Sequence, residues 1–284
     1  MPIQIINGRK IAEKIKDDIV KEVAKLTNRP NLAIVLVGER TDSQLYVTLK
    51  EKEAKKCGID THLYKLDENT TEEELLKCID FINKDDSIDG VLLQLPLPKH
   101  LNTDKIISAI DVRKDVDGFH PENLKNIREQ KPYIISPLAG VVLEICQDIK
   151  YDLKDKKIAI LAHSDIFMQG VGNILQLHGA KILPCQYDDE KIKLKNCTKQ
   201  ADIIITAIGK KHYLNYSYVK KGAVIIDIGI IKDETGTYGD VDFNDIADIA
   251  DFVTPVPGGV GPITIACAFR NVLQLYKVHK VKSP

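Results

Sequence analysis

What most restricts the fold of this chain is a series of apolar strands spaced by helix-length segments. Four of them, "KIAIL" (157–161), "KILPC" (181–185), "DIIITAIG" (202–209) and "AVIIDIG" (223–229), follow one another in the second half. Strands that read apolar throughout must be covered on both faces, and alternating strands and helices provide that cover as a parallel sheet between helices. The order is that of a doubly wound domain.

The first half shows the same alternation. From Asn7, a suitable N-cap, Ile11, Ile15, Ile19, Val23 and Leu26 recur at helical spacing, and "LAIVLVG" (32–38) reads as a buried strand. Residues 43–58 form a second helix closed by Gly58, and Thr71 with Glu74 makes a capping box for a third. "GVLLQLPLP" (90–98) is a strand stopped by its prolines. Ser136-Pro137 opens a helix running to about Ile149, and a last helix begins near Pro262. The expected division is an N-terminal α/β domain over 1–135, a doubly wound domain over 136–261, and a C-terminal helix, 262–284, returning to the first.

With 44% hydrophobic and 29% charged residues, 284 residues suffice for two cores of ordinary size. A net charge of −1 gives no electrostatic reason to bind nucleic acid or an anionic membrane. No apolar run approaches the roughly 20 residues that span a bilayer, and the start "MPIQIINGRK" lacks the apolar region of a secretory signal. A cytoplasmic protein is expected. The six cysteines, at 57, 78, 146, 185, 197 and 267, include no C-x-x-C pair, so reduced core thiols are expected. The seven histidines show no H-x-x-x-H spacing, and no metal is expected.

Three stretches carry candidate chemistry. Tyr46 and Lys50 lie four apart on one helix face, with Lys50 inside an arc of Leu45, Leu49, Tyr46, Cys57, Ala54 and Val47. A lysine so placed is either desolvated, with a lowered pKa suited to proton transfer, or a residue that snorkels from the core edge. "KDVDGFHP" (114–121) either presents a carboxylate to a ligand or is a turn built of its usual residues. In "TPVPGGVGPIT" (254–264), three prolines and three glycines shape a loop that lets a flat ligand approach the main chain.

A fourth stretch, "KKIAILAHSDIFMQGVGNILQLHGA" (156–180), has the strand, turn and helix of a nucleotide site. Its turn, however, reads Ala162, His163, Ser164, Asp165, and glycine first appears at 170 and 172 inside the helix.

Together, "SQLYVTLK", "VLLQLPLP", "KDVDGFHP", "DIG" (227–229), "GDV" (239–241) and "TPVPGGVGPIT" resemble the bifunctional methylenetetrahydrofolate dehydrogenase/methenyltetrahydrofolate cyclohydrolase family, in family order across nearly the whole chain. The resemblance implies an N-terminal α/β domain followed by a Rossmann-type domain, and interconversion of methylene-, methenyl- and 10-formyltetrahydrofolate. It implies catalytic roles for Lys50, Gln94 and Asp117, with Tyr46, Ser43, Pro257, Gly258 and Gly259 binding the substrate. It places the cofactor at Ala162, His163, Ser164 and Ile230, implies NADP with NAD as the other choice, and implies a homodimer acting on a small-molecule folate.

The chain departs from the family mostly in its second half. Ala162 and Met168 stand where the family has glycines, Gly170 where it has proline, Lys125 where it has glycine, and Ser136-Pro137-Leu138-Ala139 where it has T-P-x-G. Two other readings therefore stand beside the bifunctional enzyme: a cyclohydrolase with lost or weak hydride transfer, and a folate-binding protein without catalysis. Asp188, Asp189 and Glu190 follow the second strand of the Rossmann-type series, where carboxylates repel a ribose 2′-phosphate, so a drift from NADP towards NAD is expected.

Overall fold

The computed structural model describes residues 3–281. In chain order its first half holds β1 (Gln4–Ile5), α1 (Gly8–Val23), β2 (Asn31–Val37), α2 (Thr41–Lys56), β3 (Asp60–Leu66), α3 (Glu72–Lys84) and β4 (Gly90–Leu93). Three helices follow: α4 (Thr103–Ala109), α5 (Pro121–Arg128) and α6 (Pro137–Asp148). Next come β5 (Lys157–Ala162), α7 (Asp165–Leu177), β6 (Lys181–Ile182), α8 (Lys191–Thr198), β7 (Ile203–Ala207) and β8 (Val224–Asp227). The chain then forms β9 (Ile231–Asp233), β10 (Gly236–Tyr238), α9 (Phe243–Ile246), β11 (Phe252–Val253) and α10 (Val260–Val281).

The chain forms two compact units, one of residues 1–13 with 138–264 and the other of 14–137 with 265–284. The division differs from the sequence boundaries at the N-terminus. Residues 1–13 join the doubly wound unit because β1 pairs in parallel with β11, Gln4 opposite Phe252 and Ile5 opposite Val253.

The smaller sheet runs β3-β2-β4, all parallel, with β2 in the middle. Leu32 through Val37 are buried, as a central parallel strand requires. β3 is an edge strand with hardly a buried side chain, so no apolar run betrays it in the sequence. Thr71 and Glu74 form the expected reciprocal capping box on α3. Beyond β4, residues 114–116 add a short parallel bridge, Val91 opposite Asp115. The part of α10 within this unit is fastened by the buried Asn271, whose amide donates to Val116 O and Ile135 O at 2.8 Å each.

The larger sheet has the parallel order β1-β11-β8-β7-β5-β6. Ile203–Ile205 and Val224–Ile226 are fully buried in its centre. Because β6 lies on one side of β5 and β7 on the other, the chain reverses its direction of winding there, which opens a crevice at the carboxyl ends of β5 and β7. The cysteines correct one expectation: Cys185, just past β6, and Cys197, on α8, are joined as a disulfide with Cα atoms 5.6 Å apart. Both face the same core cluster, a proximity that a separation of 12 residues does not reveal. Cys57, Cys78, Cys146 and Cys267 are free. Among the described residues no helix is long and apolar enough to cross a membrane, and no group of His, Cys, Asp or Glu could hold a metal ion.

Replacing Asn271 by alanine leaves two buried carbonyls unpaired, so Asn271→Ala should destabilise the protein by roughly 2–4 kcal/mol. Urea unfolding measures it, and an unchanged midpoint would show that the helix is not held by these bonds.

Candidate active site

In the unit that holds the smaller sheet, the carboxyl end of β4 and one face of α2 meet. Gln94 follows β4, its N–H bonded to Val35 O at 2.9 Å. Its side-chain Nε2 donates to Leu95 O at 2.8 Å, which turns Oε1 outward to accept from Lys50 Nζ at 2.9 Å. That second bond fixes the sense of the amide. Lys50 also lies 5.9 Å from the centre of the Tyr46 ring, one turn earlier. Ser43, a turn before Tyr46, is buried, as are Val47, Ala54 and Cys57. Leu45 and Leu49, expected in the apolar arc, are instead 55% and 44% exposed, because the packed stripe of α2 runs through Val47 and Ala54.

The loop 114–121 resolves into residues with different tasks. Lys114 is buried and donates to Ile82 O, Asn83 O and Asp85 O at 3.1, 2.9 and 2.7 Å, closing the carboxyl end of α3. Asp115 is buried and accepts from Gly118 N, His120 N and Asn123 Nδ2 at 3.0, 2.8 and 2.9 Å. Burial pushes its carboxyl pKa up against those three bonds. The fold thereby occupies Asp115 and leaves the neighbouring Asp117 facing Lys50. Burial raises Asp117 to about 6, opposed by the positive charge of Lys50 and assisted by the negative charge of Asp115. Lys50 is lowered from the ordinary lysine value by burial, with Asp117 acting the other way. Sequence reasoning missed Lys114 and Asn271, for neither has a neighbour in the chain that signals its partner.

The other candidate residues lie in the doubly wound unit. Ala162 ends β5, His163 follows it, and Ser164 caps α7, its Oγ accepting from Phe167 N at 3.3 Å. The donor end of α7 thus stands at the winding reversal without a glycine. His163 Nε2 lies 3.0 Å from Ile208 O, so the loops after β5 and β7 are tied together. Ile230, in the loop after β8, is half exposed. Pro257, Gly258 and Gly259 form the approach to α10. There a Cβ on Gly259 would lie 2.5 Å from Pro255 O, so close packing within the loop already requires this glycine.

Two further carboxylates explain the "DIG" and "GDV" segments. Asp227 accepts from Gly229 N, Asp240 N and Val241 N at 2.9, 3.1 and 3.0 Å. Asp240 accepts from Thr206 Oγ1, Ile208 N and Lys210 N at 2.8, 2.7 and 2.8 Å. A Cβ on Gly239 would come within 2.0 Å of Asp227 Oδ2, so only glycine fits there. Burial, then the adjacent Asp240 charge, pushes Asp227 up to about 7. Of the acidic triplet after β6, Asp189 accepts from Gln186 N and pairs with Lys193, while Glu190 is the N-cap residue of α8. Asp188 and Glu190, whose carboxylate makes no capping bond, remain for the expected repulsion of a 2′-phosphate.

Comparison with known proteins agrees over the whole length. The family models of tetrahydrofolate dehydrogenase/cyclohydrolase match twice, the catalytic domain over residues 6–117 and the NAD(P)-binding domain over 137–280. The chain is 40% identical over 284 residues to the bifunctional protein FolD of Thermodesulfovibrio yellowstonii, covering 99% of each. It is 39% identical to that of Enterococcus faecalis, covering 97% of this chain and 99% of the relative. Among solved structures, the FolD enzyme of Campylobacter jejuni superimposes with a TM-score of 0.91 at 35% identity, covering 97% of this chain and 99% of that one. The Trypanosoma brucei enzyme, complexed with NADP and an inhibitor, gives 0.93 at 29% identity over the full length of both chains.

The opposed effects at Lys50 and Asp117 can be separated. Lys50→Met removes the charge that holds Asp117 down, so the Asp117 carboxyl should titrate above its value of about 6. Carboxyl-carbon NMR follows it, and a fall in that value would contradict the geometry.

Proposed function

This chain belongs to the tetrahydrofolate dehydrogenase/cyclohydrolase family, and on that premise we propose that Lys50, Gln94 and Asp117 carry its folate chemistry. The enzyme interconverts 5,10-methylenetetrahydrofolate, 5,10-methenyltetrahydrofolate and 10-formyltetrahydrofolate by NAD(P)-dependent dehydrogenation and cyclohydrolysis. The observation that carries the assignment of roles is the bond from Lys50 to Gln94, made where burial depresses the lysine and Asp117 faces it.

In the cyclohydrolase direction water adds to the cationic methenyl carbon and loses a proton, after which the bond from that carbon to N5 breaks and N5 gains a proton. Lys50, made less basic by burial, accepts the first proton as an amine and returns one as an ammonium. Gln94 holds the amine through Oε1 while its own amide is anchored on Leu95 O. Asp117 as a carboxylate accepts from the amino and N–H donors of the pterin, a polar match that discriminates against flat molecules lacking them. Tyr46 offers its ring beside Lys50 for stacking, and the buried Ser43 anchors the start of that helix face. Binding alone would not need a desolvated lysine held by an oriented amide, which favours catalysis over simple folate storage.

The doubly wound unit supplies the nucleotide site, and NADP is the proposed cofactor, as in the Trypanosoma brucei complex. Its oxidised nicotinamide accepts the hydride that leaves the methylene carbon. The residues present suit a dinucleotide: a capped helix N-terminus for the pyrophosphate after Ala162, with His163 and Ile230 on the neighbouring loops.

Lys50→Met should abolish hydrolysis of methenyltetrahydrofolate, followed by its absorbance, while folate binding by calorimetry persists. Near-parental hydrolysis would remove Lys50 from the mechanism. Asp117→Ala should weaken folate binding by about 2–3 kcal/mol, the cost of a lost charge-assisted bond. In the wild type the same affinity should fall as pH drops through about 6, where Asp117 gains its proton and ceases to be a full acceptor. Affinity that is flat across that range would leave the loop as a turn only.

A further inference from the structure

Three loops at the carboxyl edge of the larger sheet bring His163 together with side chains that have no part in the chemistry above. His163 follows β5, Tyr187 lies beyond β6, and Lys210 follows β7. The His163 and Tyr187 rings meet edge to face, with centroids 4.5 Å apart, and Tyr187 meets Tyr213 at 5.8 Å. Lys210 Nζ stands 4.8 Å from the centre of the Tyr187 ring and 5.8 Å from that of Tyr213. The lysine main chain is pinned by Asp240, which takes both Ile208 N and Lys210 N.

The charges around this edge are divided. Lys211 is paired with Asp233, and Lys193 with Asp189. Lys210 is exposed, and among the described residues its electrostatic partners are the two tyrosines rather than a carboxylate. In a doubly wound sheet the pyrophosphate sits on the helix after the first strand and the adenosine ribose lies by the end of the second, here β6. Tyr187 is on the segment that leaves that strand, and it carries Lys210 against its ring. Of the carboxylates on the same segment, Asp189 is engaged by Lys193 and Gln186 N. Asp188 and Glu190 are exposed and remain as opposing charges.

We propose that Lys210, braced by Tyr187, is the specificity-determining cation that makes this enzyme favour a dinucleotide bearing a ribose 2′-phosphate over one with a free 2′-hydroxyl. The proposal rests on the reading of this unit as a dinucleotide site. It stands against the expected drift towards NAD, because Asp189 is engaged by Lys193 and Gln186 N while Lys210 brings a cation to the same edge. A primary ammonium held on an aromatic platform presents its remaining N–H bonds outward, as a phosphate dianion requires.

Calorimetric dissociation constants of NADP+ and NAD+ for the full-length wild type, Lys210→Met, Lys210→Arg and Asp188→Asn decide the matter. The wild type should prefer NADP+. Lys210→Met should weaken NADP+ by about tenfold, as expected for one charge-assisted bond, with NAD+ changed less than about twofold. Lys210→Arg should keep the preference, and Asp188→Asn should strengthen NADP+ without help to NAD+. The side chain is exposed, and an unchanged melting temperature verifies that each variant is folded. Equal weakening of both nucleotides by Lys210→Met, or of neither, overturns the role of Lys210 and leaves the nucleotide site standing. Failure of the wild type to bind either nucleotide overturns both.

Discussion

Three buried carboxylates hold the loops on which everything else depends. Asp115, Asp227 and Asp240 are each almost wholly withdrawn from water, and each accepts three hydrogen bonds. An ionised carboxyl in such a place is costly unless its acceptor sites are filled, so the surrounding N–H groups cannot be moved without exposing that cost. Most of the donors are main-chain amides. The carboxylates therefore set backbone paths: Asp115 shapes the turn that carries Asp117, Asp227 bends the chain after β8, and Asp240 fixes the exit of β7 that bears Lys210. Parallel sheets put their loops at the ends of strands, and these loops are long enough to wander without such anchors.

The same logic separates structure from chemistry inside one loop. Asp115 and Asp117 are two residues apart, yet one is filled by protein donors and the other faces a lysine. Burial alone would push Asp117 up and Lys50 down. Their mutual attraction resists both shifts and leaves Asp117 near 6, within reach of neutrality. Burial and mutual attraction together thus set both groups away from their ordinary values. Neither residue would have this property in water, and neither would keep it if Lys114 and Asn271 released the chain on either side.

Much of this was legible in the sequence because its signals are local. The Thr71 capping box, the central strand at 31–37 and the strands of the larger sheet depend on residues close in the chain. Lys50 and Tyr46 share a helix face for the same reason. What escaped depends on distant partners. β3 is polar on an edge; Lys114 finds carbonyls some 30 residues earlier; Asn271 reaches carbonyls 155 and 136 residues away; Cys185 meets Cys197 across a strand exit and a helix. Leu45 and Leu49 show the opposite error. Periodicity put them on the apolar side of α2, but the side that packs within this unit is narrower than the apolar side.

The glycine-poor turn at 162–165 is explained by asking what a phosphate cradle needs. Its attraction comes from main-chain N–H groups at the start of a helix, and glycine only permits their approach. Here Ser164 caps α7 and leaves the first turn directed at the reversal of the sheet, and Ala162 adds one methyl that is buried at the end of β5. Glycines occur only farther along α7, at 170 and 172, and a Cβ on Gly172 would find its nearest neighbours, Ile160 and Ile182, at 3.6 Å, an ordinary contact. At Gly172, then, helix and sheet have room for a side chain. On the flank of this turn His163 is tied to Ile208 and meets the Tyr187 ring edge to face. Rigid side chains from three adjacent loops can do at the ribose what flexible glycines do at the pyrophosphate, which is to hold fixed the distance between a charge and its partner.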